Sequence, residues 1–225
     1  MHYVIRRAPG PLGEPTAEWD PRLWAEAEVA EITNYPWEDS GHHPLVRVRV
    51  IYDDYFIGVR FQVEDKYVFS QCQNFGDSVC RDSCVEFFFS PDSDPEQDAY
   101  FNIEVNCGGA ALMCSCPSSA DKAAGANPVR DPADETFFRF AHSLPKTVQP
   151  EITEPTTWTL EYHVEWSLFE KYVAGVTPTR GTQWRGNFFK CGHDMSHPHW
   201  GSWALVETPV PNFHTPAFFR PLTFA

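Results

Sequence analysis

Residues 82–106 read DSCVEFFFSPDSDPEQDAYFNIEVN, and the pattern of this stretch decides the fold. Residues 85–89 are a short apolar run that carries one carboxylate, Glu86. Ser90-Pro91-Asp92 closes the run, and an acidic loop with Asp92, Asp94, Glu96 and Asp98 follows. Residues 100–106 then alternate apolar and polar types without a break. Two aromatic-rich runs joined by a Pro/Asp/Ser loop predict paired antiparallel strands. Side chains of a strand alternate between faces, so Phe101, Ile103 and Val105 point to a core while Asn102, Glu104 and Asn106 share the other side. That second face, a row of amides and a carboxylate without hydrophobic cover, suits water or a hydroxyl-rich ligand.

The neighbouring segments repeat this pattern. Residues 45–52, LVRVRVIY, put Val46, Val48 and Val50 inward and Arg47 and Arg49 outward. Asp53-Asp54 marks a turn, and residues 55–63 return as the hairpin partner. Residues 158–166, WTLEYHVEW, place Trp158, Leu160, Tyr162, Val164 and Trp166 on one face and Thr159, Glu161, His163 and Glu165 on the other. Ser167 is then expected to cap a single helical turn. Further strands are expected at 110–116, 136–140, 184–191 and 218–224. Residues 1–17, rich in Pro and Gly, are expected to run over the surface as an N-terminal extension, and 117–134 to form a long polar loop. About ten strands with no long helix and no repeat predict an all-β fold. The expected architecture is an antiparallel β-sandwich, jelly-roll or immunoglobulin-like, made by one domain over residues 1–225.

Composition narrows the function. A net charge of −14 repels phosphate, which argues against nucleic acid or an anionic membrane surface as partner. No stretch reaches membrane-spanning length, and MHYVIRR lacks the apolar run of a secretory signal, so the chain is expected in the cytoplasm. The seven cysteines (72, 80, 84, 107, 114, 116 and 191) fit no zinc-ribbon spacing and are expected to be small buried hydrophobes, not a disulfide framework.

The motifs occur in an order that resembles the family 9 carbohydrate-binding modules, within the wider DOMON-like sandwich group. They are VIYDDYFIGVRFQVED (50–65), RDSCVEFFFSPD (81–92), YFNIEVN (100–106), WTLEYHVEWSLF (158–169) and SWALVETPVPNFHTPAFF (202–219). The resemblance spans residues 18–225 and marks a standalone, divergent member. It implies a jelly-roll-like sandwich that binds sugars or glycan chain ends without cutting them, in the service of polysaccharide breakdown. It also implies two tryptophans clasping a sugar ring, helped by a glutamate, an arginine and amides, and a structural calcium. By motif, Glu86 falls on the binding glutamate and Trp203 on one clasping tryptophan. Cys80 stands where the second tryptophan is expected, and Asn102 where the arginine is.

Each candidate has a plainer reading beside the functional one. Trp203 and Trp200 offer indole faces to the C–H surface of a sugar, or pack in the core. Glu86 lies among phenylalanines and needs hydrogen-bond partners if buried, which sugar hydroxyls would supply and so would Arg81 or Lys190. Asn102, Glu104 and Asn106 recur about every 6–7 Å, close to hydroxyl spacing on a hexose. Asn187 and Lys190 add a donor and a charge from a neighbouring strand. His199 ends the run Cys191-x-His193-Asp194-x-x-His197-x-His199, which reads as a zinc site or as a hydrogen-bonded loop lining the sugar site. Asp92 and Asp94 carry the hard oxygens that calcium prefers. The expected ligand residues are therefore Trp203, Glu86, Asn102, Glu104, Asn187, Lys190, Trp200 and His199, and the metal candidates are Asp92, Asp94, His193 and His197. Two other classes stay open. Glu86 and Glu104 would serve a glycoside hydrolase as paired carboxyls. Cys80 in a tryptophan's place fits a structural or interaction domain whose sugar site is lost.

Overall fold

The computed structural model describes residues 1–19, 22–37 and 40–225. Among the described residues the chain forms fourteen strands. They are β1 (Tyr3–Arg7), β2 (Ala30–Ile32), β3 (Leu45–Tyr52), β4 (Phe56–Asp65), β5 (Val68–Ser70), β6 (Cys84–Ser90) and β7 (Tyr100–Asn106). β8 (Ala111–Cys116), β9 (Phe138–His142), β10 (Val148–Ile152), β11 (Thr156–Glu165), β12 (Gln183–Gly192), β13 (His199–Ser202) and β14 (Arg220–Phe224) complete the set. Two single-turn helices, α1 (Ser119–Ala123) and α2 (Trp166–Glu170), are the only α-helical segments among the described residues.

Twelve strands make one curled ladder in the order β8-β7-β6-β12-β14-β1-β3-β4-β11-β9, with β13 added to β12 and β2 to β3. β1 is the hinge of this ladder. Its first three residues pair in parallel with Leu222, Thr223 and Phe224 of β14, and Arg6 and Arg7 then pair in parallel with Ile51 and Tyr52 of β3. The strand thus leaves one half of the ladder and joins the other, folding the two halves face to face. This corrects two expectations: the pairing is mixed and not wholly antiparallel, and residues 3–7 lie inside the sandwich instead of over its surface. Tyr3 and Ile5 are buried, and a two-residue apolar period inside a Pro/Gly-rich segment is too short to read as a strand.

The inner faces mesh as the alternation predicts. Val85, Phe87, Phe89, Phe101, Ile103 and Val105 meet Val46, Val48, Phe61, Leu160 and Tyr162 in one buried cluster. Phe89 stacks on Trp184 with centroids 4.9 Å apart, and Phe87 on Phe188 at 4.8 Å. Burying each such ring contributes on the order of 2–3 kcal/mol.

The outer faces depart from expectation, because loops cover both. On the β4–β11 side, Arg60, Glu161 and His163 are buried together, with Glu161 accepting from Arg60 and paired to His163 Nε2 at 2.7 Å. The Arg60 guanidinium lies 4.3 Å from the Trp24 ring centroid, and Thr16 N–H donates to Glu161. Residues from 8–19 and 22–27 therefore close this side over a buried ion cluster. On the β6–β7–β12 side a second apolar layer, including Val79, Cys84, Phe88, Tyr100, Leu112, Phe189, Val206 and Phe213, covers part of the sheet. The helical turn expected from Ser167 is α2, which starts two residues earlier, with Glu165 and not Ser167 at its N-cap. The 117–134 segment is tied down by a backbone pair between Val129 and Ser115.

Candidate functional site

Two rows of paired residues cross the outer face of β7, β6, β12 and β13. One runs Glu104–Glu86–Phe189, and the other Asn106–Cys84–Cys191–Trp200. Period two puts every member of both rows on the same side of the sheet. The turn at residues 79–81 borders this face, and residues 211–214 cross above it, held where Phe213 stacks on Phe189 with centroids 4.2 Å apart. Between them opens a pocket lined by Cys80, Glu86, Glu104, His193, Trp200, Pro211, Asn212, Phe213 and His214. Its volume is about 140 Å³. Ligand pockets commonly run to roughly 300–1,000 Å³, so this one suits the end or edge of a single ring and not a length of chain.

The pocket floor is two carboxyls. Glu86 and Glu104 stand directly opposite one another on β6 and β7, and both are buried. Burial pushes the Glu86 carboxyl well above the usual range, helped by the neighbouring Cys191 and Glu104. Burial likewise raises Glu104, to about 7, while the Asn102 amide and the Arg130 charge hold it down. Glu86 Oε1 accepts from the Cys191 thiol at 3.0 Å, and Glu104 Oε1 from Asn102 Nδ2 at 2.8 Å. Half-buried Trp200 forms one wall, with the His193 ring 5.5 Å away. Tyr100 Oη pairs with His214 Nδ1 at 2.8 Å on the opposite side. An indole wall beside two carboxyls offers a surface for sugar C–H groups and acceptors for sugar hydroxyls.

Of the residues expected at the site, Glu86, Glu104 and Trp200 come together in this pocket, and His193 joins them. Asn102 stands behind Glu104 and orients it. The others go elsewhere. Trp203 lies in the main core, edge-on to Tyr3 (6.2 Å) and tilted against Phe188 (5.6 Å), and its face is closed to any ligand. Asn187 pins the backbone that follows β13, donating to Ala204 O and accepting from Ala204 N–H. Asn106 is used up in the same way, donating to Cys72 O and Asp82 and accepting from Gly108 and Ala110 N–H. Lys190, with Val85 as cross-strand partner, points to the inner side; there it meets His199 Nε2 at 2.7 Å and Asp65 Oδ2 at 3.7 Å. His199 is therefore a buried partner of Lys190 and no part of the pocket. The expected uncovered face of Asn102, Glu104 and Asn106 is buried, because the 205–219 segment and the 79–81 turn supply the cover that residues 100–106 do not reveal.

The expected metal ligands do not converge among the described residues. Asp92 and Asp94 cap turns of their own loop, accepting from Asp94 and Glu96 N–H, and Arg185 donates to Asp94 O. His197 stacks on Tyr67 at 3.6 Å, away from His193. Sequence reasoning missed Asn212, Phe213 and His214 in the pocket wall, and Arg130, whose charge acts on Glu104. The first three sit inside the PNFHTP motif, which carried the signal without saying which way its side chains turn. Arg130 follows the Val129–Ser115 bridge in a segment that reads as featureless loop.

The sequence pattern of carbohydrate-binding family 9 matches residues 21–224. The chain belongs to that family. No curated protein matches it. Among solved structures, the fold is similar to that of a protein from Bacteroides uniformis ATCC 8492 provisionally named as carbohydrate-binding, with 26% identity and a TM-score of 0.85 over 100% of this chain and 99% of that one. It is also similar to a family 9 module from Caldicellulosiruptor kristjanssonii in complex with cellotriose, at 14% identity and a TM-score of 0.63, covering 100% and 93% of the two chains. The glucose complex of a family 9 module from that organism gives 14% and 0.64, covering 99% and 95%.

Proposed function

We propose that this protein binds carbohydrate non-catalytically in the pocket between Trp200 and residues 211–214. Trp200 packs against one face of a terminal sugar ring, Glu86 and Glu104 accept from its hydroxyls, and Asn212 in the pocket wall contributes a donor. The observation that carries this reading is the convergence of an indole and two carboxyls in a pocket sized for part of one ring, in a chain of a carbohydrate-binding family. Its relatives' complexes with cellotriose and glucose make β-linked glucose oligomers and their ends the first ligands to try. A ligand bound only by the folded state at a hundredfold excess over Kd adds about 2.7 kcal/mol, which for a chain of this size raises Tm by roughly 5–10 °C. A thermal-shift screen against mono- and oligosaccharides tests this directly, and no shift with any of them would overturn it. Repeating the screen with added calcium tests the structural ion that the family implies.

One observation favours a second reading, a glycoside hydrolase: Glu86 and Glu104 do converge in one cleft. Against it, burial raises both carboxyls, so below about pH 7 neither is held as the ionised partner that such a pair requires. Incubating each binding sugar with the protein and assaying for new reducing ends separates the two, and cleavage lost in Glu86→Gln would establish the hydrolase.

A further inference from the structure

Cys84, Glu86 and Cys191 project from one face of two adjacent strands. Cys84 and Cys191 are direct partners in the β6–β12 ladder, and Glu86 lies two residues beyond Cys84 on the same side. The two sulfurs and a Glu86 oxygen all lie within 4.8 Å of one another. Among the described residues no other three His, Cys, Asp or Glu side chains bring their donor atoms together in this way. All three are buried, and each is held by strand hydrogen bonds, so no loop has to order around a ligand. The pocket opens beside them, with Cys80, Glu104 and His193 in its wall.

This donor set has a chemistry of its own. Two thiolates select soft or borderline cations over calcium or magnesium, and a carboxylate completes a set that zinc accepts. Zinc holds sulfur at about 2.3 Å and oxygen at about 2.0–2.2 Å, so tetrahedral donors stand roughly 3.5–3.8 Å apart. The Cys191 sulfur and Glu86 Oε1 are 3.0 Å apart, and all three donor atoms lie within 4.8 Å of one another, which brackets that spacing. We propose that Cys84, Glu86 and Cys191 form a three-donor site for a thiophilic divalent cation of the zinc class, with the fourth position facing the pocket. On binding, the protons of the two thiols and of the Glu86 carboxyl leave to solvent, and metal bonds replace the Cys191–Glu86 hydrogen bond. The cation's charge then offsets anions that the apolar cover otherwise keeps protonated. The site differs from the histidine run read in the sequence: only Cys191 is common to both, since His197 and His199 turn away. It does not depend on carbohydrate binding.

The test is a titration of the chelator-stripped full chain with cadmium, followed by the ultraviolet thiolate-to-cadmium charge-transfer band, with zinc as competitor. The expected result is a band that saturates at one equivalent and is displaced by zinc. The band disappears in Cys84→Ala and in Cys191→Ala, binding weakens at least tenfold in Glu86→Gln, and Cys72→Ala and Cys107→Ala leave both unchanged. Circular dichroism establishes which variants are folded. X-ray absorption of the zinc-loaded wild type gives a readout independent of any variant, with two sulfur and at least one oxygen neighbour expected. A metal shell of nitrogen and oxygen only, or a band that survives both cysteine substitutions in folded protein, overturns the proposal.

Discussion

Glu86 and Glu104 face each other directly across β6 and β7, both buried and both in the floor of one pocket. Two carboxylates so placed cannot both ionise near neutral pH without large cost. Glu104, raised to about 7 chiefly by burial, contributes stability that is complete below its unfolded value near 4.5 and is lost as pH rises through 7. Glu104→Gln cannot ionise and removes that loss. Chemical denaturation of chelator-treated protein between pH 4.5 and 8.5 should show the wild type losing on the order of 3 kcal/mol more than the variant. Parallel profiles would mean that Glu104 titrates normally.

The two C-terminal tryptophans should separate stability from binding. Trp203→Ala opens a cavity between Tyr3 and Phe188 and should cost about 3–5 kcal/mol of stability, with sugar affinity kept in the protein that folds. Trp200→Ala should cost less stability, because this indole is half-buried, and weaken sugar binding roughly tenfold or more. Denaturation midpoints and calorimetry on the same preparations check both.

Asp65 lies in a second buried cluster, with His42 Nε2 at 2.7 Å and Lys190 Nζ at 3.7 Å. Burial alone would raise its carboxyl, but the Lys190 charge and the His42 hydrogen bond outweigh it and hold the group at about 2. Its contribution is therefore present above the ordinary value near 4 and lost as pH falls through 4 toward 2. Asp65→Asn leaves Lys190 buried without its counter-charge and should destabilise by about 3 kcal/mol at neutral pH, with the difference from wild type shrinking in acid. Paired melts at pH 7 and pH 2.5 measure it.

The hinge strand has its own test. Tyr3 Oη accepts from Val50 N–H at 2.9 Å and donates to Glu28 O at 2.6 Å, locking β1 against β3. Tyr3→Phe strands a buried N–H and should cost about 1–3 kcal/mol. A variant within 0.5 kcal/mol of wild type, a loss typical of a neutral surface change, would show that the hydroxyl does not hold this junction.

The legible parts of the sequence were those with long, regular alternation. Residues 45–63, 82–106 and 158–165 gave their strands, their inward faces and the β3–β4 and β6–β7 pairings, because a two-residue period over seven or more positions has one reading. β1, β2, β5 and β13 are five residues or fewer, too short to show a period, and so the parallel hinge was hidden. The site was legible by half. Glu86 and Glu104 follow from register, since paired strands put cross-strand partners on one face. Trp200 and Trp203 are three residues apart, on and just beyond β13, and the turn of the chain after Ser202 decides which reaches the pocket and which the core; no local pattern encodes that. Polar character misled for the same reason at Asn187, Lys190 and Glu161: each meets a partner elsewhere in the chain, Ala204, Asp65 and Arg60, and a lone sequence shows the polar group without the partner.

The most direct measurement is isothermal titration calorimetry of the folded wild type and of Trp200→Ala with glucose, cellobiose and cellotriose. The account predicts saturable one-to-one binding of at least one of these by the wild type, with affinity reduced tenfold or more by Trp200→Ala at unchanged fold. Binding that is indifferent to Trp200→Ala and to Glu86→Gln, or no saturable heat from a folded wild type with any of the three, would contradict it.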